Sequence, residues 1–186
     1  GPIQTLADHS RACEDLMAQR RVQFVLSYGH AGVPGRLDEC RYPVVKLGDD
    51  ALVPVAAPRA DGAPLYAIGR GEPLAVLDYS DASGLGRILR SRLREVFAGA
   101  DAARSRLAVS IVFTAHNAFL LKTMALAGRG VAWLPASLVA DELAHGTLVA
   151  AGDERWRVPV DIRLYRQDAE LAPKAEELWR VVSGGA

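Results

Sequence analysis

Residues Thr114 to Val149, TAHNAFLLKTMALAGRGVAWLPASLVADELAHGTLV, constrain the fold more than any other stretch, because each boundary carries a residue with a backbone reason to start or stop an element. Asn117 is placed to cap a helix, its side-chain oxygen accepting a backbone N–H two or three residues on. Leu120, Leu121, Met124, Ala125 and Ala127 then form an apolar stripe. Gly128 and Gly130 end that helix, since glycine takes the left-handed conformation without a Cβ clash. Val131 to Leu134 reads as a short buried strand stopped by Pro135, which has no ladder donor. A second helix, Ser137 to Ala144, closes at Gly146.

The rest of the chain repeats the alternation. Ile3 to Ala7 is a strand candidate, and Ser10 caps a predicted helix to about Arg21 with Ala12, Leu16 and Met17 inward. Phe24 to Ser27 reads as a buried strand and Gly29 to Arg41 as a loop. Two short strands follow, Tyr42 to Lys46 and Ala51 to Ala57, with Asp49-Asp50 turning between them. Pro58 to Pro73 is a proline- and glycine-rich connection with one helical turn at Ala63 to Ile68. After a strand at Leu74 to Leu77, Ser83 to Phe97 is an amphipathic helix with Leu85, Ile88, Leu89, Leu93, Val96 and Phe97 inward and its arginines outward. Leu107 to Phe113 is the next strand. Val158 to Tyr165 alternates Val158, Val160, Ile162 and Leu164 against polar neighbours, and a last helix runs from Pro173 to Val182 with Ala175, Leu178, Trp179 and Val182 inward.

Strands separated by helices need crossover connections, so this order predicts an α/β fold with a mostly parallel sheet. The 186 residues, 50% hydrophobic, suffice for one ordinary domain or two small lobes. Lys plus Arg and Asp plus Glu both number 22, which argues against non-specific binding to nucleic acid. Cys13 and Cys40 give neither a disulfide framework nor metal-ligand spacing, and no pair of histidines does either, so no metal and no cofactor are expected. A reducing cytoplasm fits best. No apolar run approaches the ~20 residues that span a bilayer, and the N-terminus lacks a secretion signal. Gly1-Pro2 matches the scar of some tag-cleaving proteases, so the start reads as a cleavage boundary.

In open α/β sheets ligands settle beyond the carboxyl ends of strands, where helix N-termini present free N–H groups. Three such places stand out: Ser27-Tyr28-Gly29-His30, Tyr79-Ser80-Asp81-Ala82-Ser83 and Thr114-Ala115-His116-Asn117. Ser27, Tyr28, Tyr79, Ser80, Asp81, Ser83, Thr114, His116, Asn117 and Pro135 are therefore candidates to contact a small molecule. The plainer reading is that the Ser, Asp and Asn residues are ordinary helix caps and His116 a solvated side chain. Ser83-Gly84-Leu85-Gly86 lacks the preceding glycine of a nucleophile elbow, and Gly84-Leu85-Gly86 lacks the third glycine of a dinucleotide fingerprint, so no enzyme is expected.

The succession of capped helix, Gly-Arg-Gly, Val-Ala-Trp-Leu-Pro, Leu-Val helix and Gly-Thr-Leu-Val resembles the effector-binding domain of LysR-type bacterial transcription regulators. CEDLMAQRRVQFVLSY, Cys13 to Tyr28, is similar to the family's helix leading into a strand, and Tyr42 to Pro58 to its strand crossing between subdomains. Within the family the chain is most similar to the hypochlorite-responsive branch, through FVLSYGH, VLDYSDASGLGRILR and Trp133-Leu134-Pro135.

The resemblance implies two Rossmann-like α/β lobes joined by two crossing strands, as in type 2 periplasmic binding proteins. Residues 1–56 and 162–186 would form lobe I and residues 57–161 lobe II. The family's first strand and first helix would precede Ile3, so lobe I is expected to be truncated. The implied function is effector sensing: a small molecule or an oxidant in or near the inter-lobe cleft shifts the geometry of a homo-oligomer. DNA is then contacted through an N-terminal winged helix-turn-helix that these residues do not contain. An oxidant would act at Met17, Met124, Cys13 or Cys40, although both methionines also suit plain gap-filling. The alternative is a periplasmic-type solute-binding protein, which shares the two-lobe architecture.

Overall fold

A computed structural model describes residues 3–69, 73–98 and 108–184, with side chains up to residue 94 in the second stretch. The side chains of Val96 and Phe97, and Leu107, lie outside the described residues.

Two long antiparallel strands organise the fold. β2 (Val44–Ala56) and β7 (Val158–Arg166) lie side by side from Val44 opposite Tyr165 to Leu52 opposite Val158. At one end β1 (Phe24–Gly29) adds to β7; at the other, β5 (Ala132–Pro135) and β6 (Val149–Ala150) add to β2, all antiparallel. β3 (Leu74–Tyr79) and β4 (Val109–Ala115) form a parallel pair, linked to the residue before β5 by the parallel bridge of Val76 with Val131. The mostly parallel sheet expected from sequence is therefore confined to β3 and β4. The two crossing strands run in opposite directions, and the short strands that dock on them take the antiparallel sense.

β2 is one strand where the sequence suggested two. Asp49-Asp50 does not turn the chain; a bulge between Lys46 and Gly48 absorbs the irregularity, and β2 runs on until Leu52 to Ala56 are buried on both faces. β7 departs from the expected alternation in an informative way. Val158 and Val160 are buried, but further along Tyr165 is buried and Leu164 is only half-buried. The buried face switches because β7 leaves one core and enters another. The larger core collects Leu52, Val55, Leu77, Ile88, Leu121, Trp133 and Leu134 among others, while the smaller consists of Met17, Val25, Leu37 and Tyr165. Two cores joined by two crossing strands are the two lobes.

α1 (Ser10–Ala18) packs on β1, but its cap is His9, whose Nδ1 accepts the Ala12 N–H at 3.1 Å; Ser10 is the first helical residue. Only Met17 of its predicted inward set is fully buried, and the helix ends at Ala18 rather than Arg21. Ile3 to Ala7 is exposed and makes no ladder, so the expected strand is absent there. Phe24 to Ser27 is an edge strand rather than a buried one, with Val25 inward and Leu26 outward. The following loop holds a short helix, α2 (Arg36–Glu39). Ala63 to Ile68 forms turns and a Pro58 to Pro64 bridge, with no helix. α3 (Gly84–Ala98) buries Ile88 and Leu89.

α4 (Ala118–Leu126) is capped by Asn117, whose Oδ1 accepts the Phe119 N–H at 2.7 Å. Its buried set is Leu121 and Ala125, with Met124 half-buried; Leu120 and Ala127 face outward, so the apolar stripe is narrower than the sequence pattern. Gly128 has φ +68°, ending the helix left-handed. The predicted helix from Ser137 splits into a 3-10 turn, Ala136–Leu138, and α5 (Ala140–His145), ended by Gly146 at φ +71°. In α6 (Pro173–Val182) Ala175 is buried and Trp179 stacks on Phe24 with centroids 6.4 Å apart, while Leu178 is exposed. Replacing Asn117 by alanine is expected to cost about 1 kcal/mol, and replacing it by serine only a few tenths. Urea denaturation of the two variants checks this.

Candidate functional site

The starts of α1 and α3 meet β1 around a cavity of about 190 Å³. His9 and Ser10 line it from α1, Ser27 and Tyr28 from β1, Ser83 and Arg87 from α3, and His116 from the turn before α4. The cleft is closed by contacts between the two lobes. The Gly84 N–H donates to Ser10 Oγ at 3.0 Å, and Arg87 reaches across to the Pro34 carbonyl. The His9 and His116 rings meet edge to face with centroids 5.8 Å apart. A Cβ at Gly84 would lie 2.5 Å from Ser10 Oγ, so any larger residue there would turn the serine hydroxyl away from its bond.

Behind the cavity, Asp50 ties three elements together. Its carboxylate accepts Ser137 Oγ–H at 2.5 Å, the Ser137 N–H at 3.3 Å and the Tyr28 hydroxyl at 3.3 Å. Burial pushes the Tyr28 phenol above its ordinary range. The loop carrying α2 is held by Asp38, which accepts from Tyr165 Oη at 2.7 Å, from Arg163 at 3.3 Å and from the Gly35 N–H at 2.8 Å. Burial, and then Asp38, push the Tyr165 phenol up to about 12, so it donates at any physiological pH.

Arg163 also pairs with Asp161 at 2.6 Å, and Lys46 approaches the same carboxylate at 3.1 Å. The Arg163 hydrogen bond, more than Lys46, holds Asp161 below the usual carboxylate range, against an opposing effect of burial. A carboxylate depressed in the folded state contributes stability that is full above its unfolded value and is lost as pH falls through the folded one. Thermal unfolding at descending pH is therefore expected to show a loss below about pH 4, the unfolded aspartate range. Asp161→Asn should be less stable at neutral pH and should flatten that acid limb.

Four of the ten cleft candidates, Ser27, Tyr28, Ser83 and His116, line the cavity. The other six do not. Tyr79 is core, its hydroxyl donating to the Trp133 carbonyl at 2.9 Å, and Pro135 is buried in β5 opposite Leu52. Asp81 is exposed beside Arg90, Asn117 is committed to its cap, and Thr114 faces outward. Ser80 is held through its backbone, its N–H on the Ala115 carbonyl and its own carbonyl on the Ser83 N–H. The structure adds Ser10, Gly84 and Arg87 to the site. Ser10 carried a signal as a predicted cap, but its partner lies on another lobe. Of the redox candidates, Met17 is fully buried, Met124 half-buried and Cys40 exposed, while Cys13 lines the cavity with burial pushing its thiol up. Among the described residues no group of three or more His, Cys, Asp and Glu is placed to hold a metal ion, and no helix is long and apolar enough to cross a membrane.

The LysR substrate binding domain matches residues 2–185. The chain belongs to that family. This LysR-type effector-binding domain is 30% identical over 142 residues to the HTH-type transcriptional regulator YjiE of Escherichia coli strain K12, which covers 76% of the chain and 44% of YjiE. The same identity over the same length relates it to QseD of Escherichia coli O157:H7, an HTH domain-truncated transcriptional regulator, of which 55% is covered. The chain thus spans about half the length of the curated relatives it matches. The regulatory domain of HypT from Salmonella typhimurium superposes with a TM-score of 0.79 at 25% identity, covering 96% of this chain and 79% of that one. Full-length HypT, described as a hypochlorite-specific LysR-type transcriptional regulator, gives 0.77 at the same identity and coverage of this chain, with 57% of it covered. These LysR relatives are regulators or parts of them, and the two-lobe architecture with its crossing strands is theirs. Nothing among them supports the solute-transport alternative.

Proposed function

We propose that this domain senses a small effector in the inter-lobe cavity and passes the signal to the DNA-binding part of a cytoplasmic, homo-oligomeric LysR-type regulator. Residues 1–56 and 162–186 form lobe I and residues 57–161 lobe II in this reading, with Leu52 to Ala56 at the end of β2 crossing into the larger core. The observation that carries it is the cavity of about 190 Å³ lined from both lobes, with Ser10, Ser27, Tyr28, Ser83 and His116 on its wall. A molecule of a few heavy atoms that bridges those groups binds one lobe separation better than another, and that difference is what shifts the equilibrium. It acts as a reversible ligand, without chemistry at the site.

Oxidant sensing is the second reading, favoured by the likeness to hypochlorite-specific HypT and by Cys13 on the cavity wall. One experiment separates the two. The domain is titrated with hypochlorous acid or with a panel of small carboxylates and aromatic acids, and intact mass and melting temperature are followed. A rise in melting temperature with one acid and no mass change is the expected result. A gain of oxygen at Met17, Met124, Cys13 or Cys40 accompanied by a melting shift replaces it with the oxidant reading.

A further inference from the structure

We infer that the turn from His30 to Gly35 is a strap that locks the two lobes together over the cavity, with Val33 as its plug and Arg87 as its clasp. The turn follows β1 and leads into α2, yet Val33 is buried in the larger core, which also holds Ile88, Leu89 and Leu134. Leu37, on α2 just beyond the turn, belongs to the smaller core with Met17 and Tyr165. A segment this short that enters both cores fixes how far apart they sit, and Val33 cannot leave its place without losing apolar contact with the larger one. Arg87, on α3, adds the clasp by donating to the Pro34 carbonyl, a charge-assisted bond with a set direction. Gly35 lets the guanidinium lie against the backbone, since a Cβ there would come 2.8 Å from Nη2.

The strap is shaped independently of its docking. The Val33 N–H donates to the His30 carbonyl at 3.0 Å and the Gly32 N–H to His30 Nδ1 at 3.0 Å, so the turn closes on itself. At its far end the Gly35 N–H donates to Asp38 at 2.8 Å, and Asp38 is held in turn by the Tyr165 hydroxyl. These bonds stay on the side of the smaller core, while Val33 and the Pro34 carbonyl reach across to the larger. Lifting the strap gives up the plug and the clasp and leaves the turn intact, which is an opening short of unfolding. Gly35 and Arg87 line the cavity, as does Cys13, so the lifted strap lets solvent and solutes into it. The inference concerns how the lobes are held and stands whether or not a small molecule binds between them.

Cys13 reports the release, because it lines the cavity and is half-buried, whereas Cys40 is exposed. In a Cys40→Ser background, which leaves Cys13 as the one thiol, its rate of modification by an aromatic disulfide reagent is measured on the folded chain at a single pH. Val33→Ala is expected to raise that rate roughly tenfold, because the atoms removed stabilise the docked strap and not the lifted one. Arg87→Met, which keeps the stem and removes the donors, should raise it as well. Val131→Ala takes the same atoms from a fully buried site of the larger core, beside β3 rather than on the strap, and should leave the rate unchanged. Equal acceleration by Val33→Ala and Val131→Ala overturns the inference, since Cys13 is then reached by unfolding of the core. No acceleration by Val33→Ala or by Arg87→Met overturns it too, since the strap then holds nothing shut. Val33→Thr, of the same shape but with a hydroxyl in the plug, replaces the alanine variant if that one does not fold.

Discussion

Gly130→Ala is expected to cost the domain roughly 3 kcal/mol, well beyond what glycine-to-alanine changes usually do. A Cβ at position 130 would sit 2.7 Å from the Ala75 carbonyl oxygen and 3.2 Å from its carbon, and both are backbone atoms that cannot swing aside. The same carbonyl accepts the Val131 N–H at 2.8 Å, and the Leu77 N–H reaches back to the Val131 carbonyl at 2.9 Å. These two bonds hold β3 to the chain entering β5, and hence the parallel pair to the main sheet. Pushing the segments apart weakens both bonds, at about 1 kcal/mol each, and adds strain of about 1–3 kcal/mol. Gly128→Ala meets no such neighbour closer than the Leu65 methyl at 3.3 Å and suffers only the left-handed backbone, about 1–2 kcal/mol. Denaturant midpoints of the two variants give the ranking. If Gly128→Ala proves the costlier, the close approach of β3 is not what requires the glycine.

That pair of glycines shows what a sequence can and cannot display. Both were legible as helix enders, because the helix pattern stops there, but only Gly128 does that work. The need for Gly130 comes from Ala75, a partner far along the chain that no local pattern reveals. Ser10 teaches the same lesson: a polar residue at a helix start was visible, but the cap is His9, and the Ser10 oxygen serves Gly84 on the other lobe. The cleft was legible where it follows from strand ends, at Ser27, Tyr28, Ser83 and His116. That legibility fails at Tyr79, which the alternation of β3 turns into the core, and at Pro135, which lies in β5 where every residue is buried. Arg87 was one of several arginines on an amphipathic helix and nothing in the pattern set it apart. Asp50 looked like half of a turn. Its role as a clamp on Ser137 and Tyr28 appears only when β2 runs straight through. The resemblance to LysR-type domains, by contrast, rests on residue order and spacing within local segments, chiefly Thr114 to Val149 with Cys13 to Tyr28 and Tyr42 to Pro58, and such spacing survives without knowledge of tertiary partners.

Trp133→Ala should destabilise further still, by about 4–6 kcal/mol, which for a domain of this size approaches complete unfolding at ambient temperature. Trp133 is 3% exposed and pairs with Pro54 on the crossing strand β2. Its indole N–H donates to the Trp156 carbonyl at 2.9 Å, and its own carbonyl accepts the Tyr79 hydroxyl. Removing the indole opens a cavity worth about 3–5 kcal/mol and takes away one hydrogen bond to the Trp156 carbonyl, at about 1 kcal/mol. Trp133→Phe keeps most of the volume and loses the bond, so it should cost about 2 kcal/mol; Tyr79→Phe, which removes only a donor, about 1 kcal/mol. Urea denaturation of the three variants tests the order. Equal losses for Trp133→Phe and Trp133→Ala would mean that the hydrogen bond, and not the packed ring, holds the strand. The consequence reaches the cleft, because β5 leads through Pro135 into Ser137, whose hydroxyl and N–H grip Asp50 beside Tyr28. A variant that loosens β5 while remaining folded, as Trp133→Phe should, is therefore expected to weaken that grip and shift the balance between closed and open lobes.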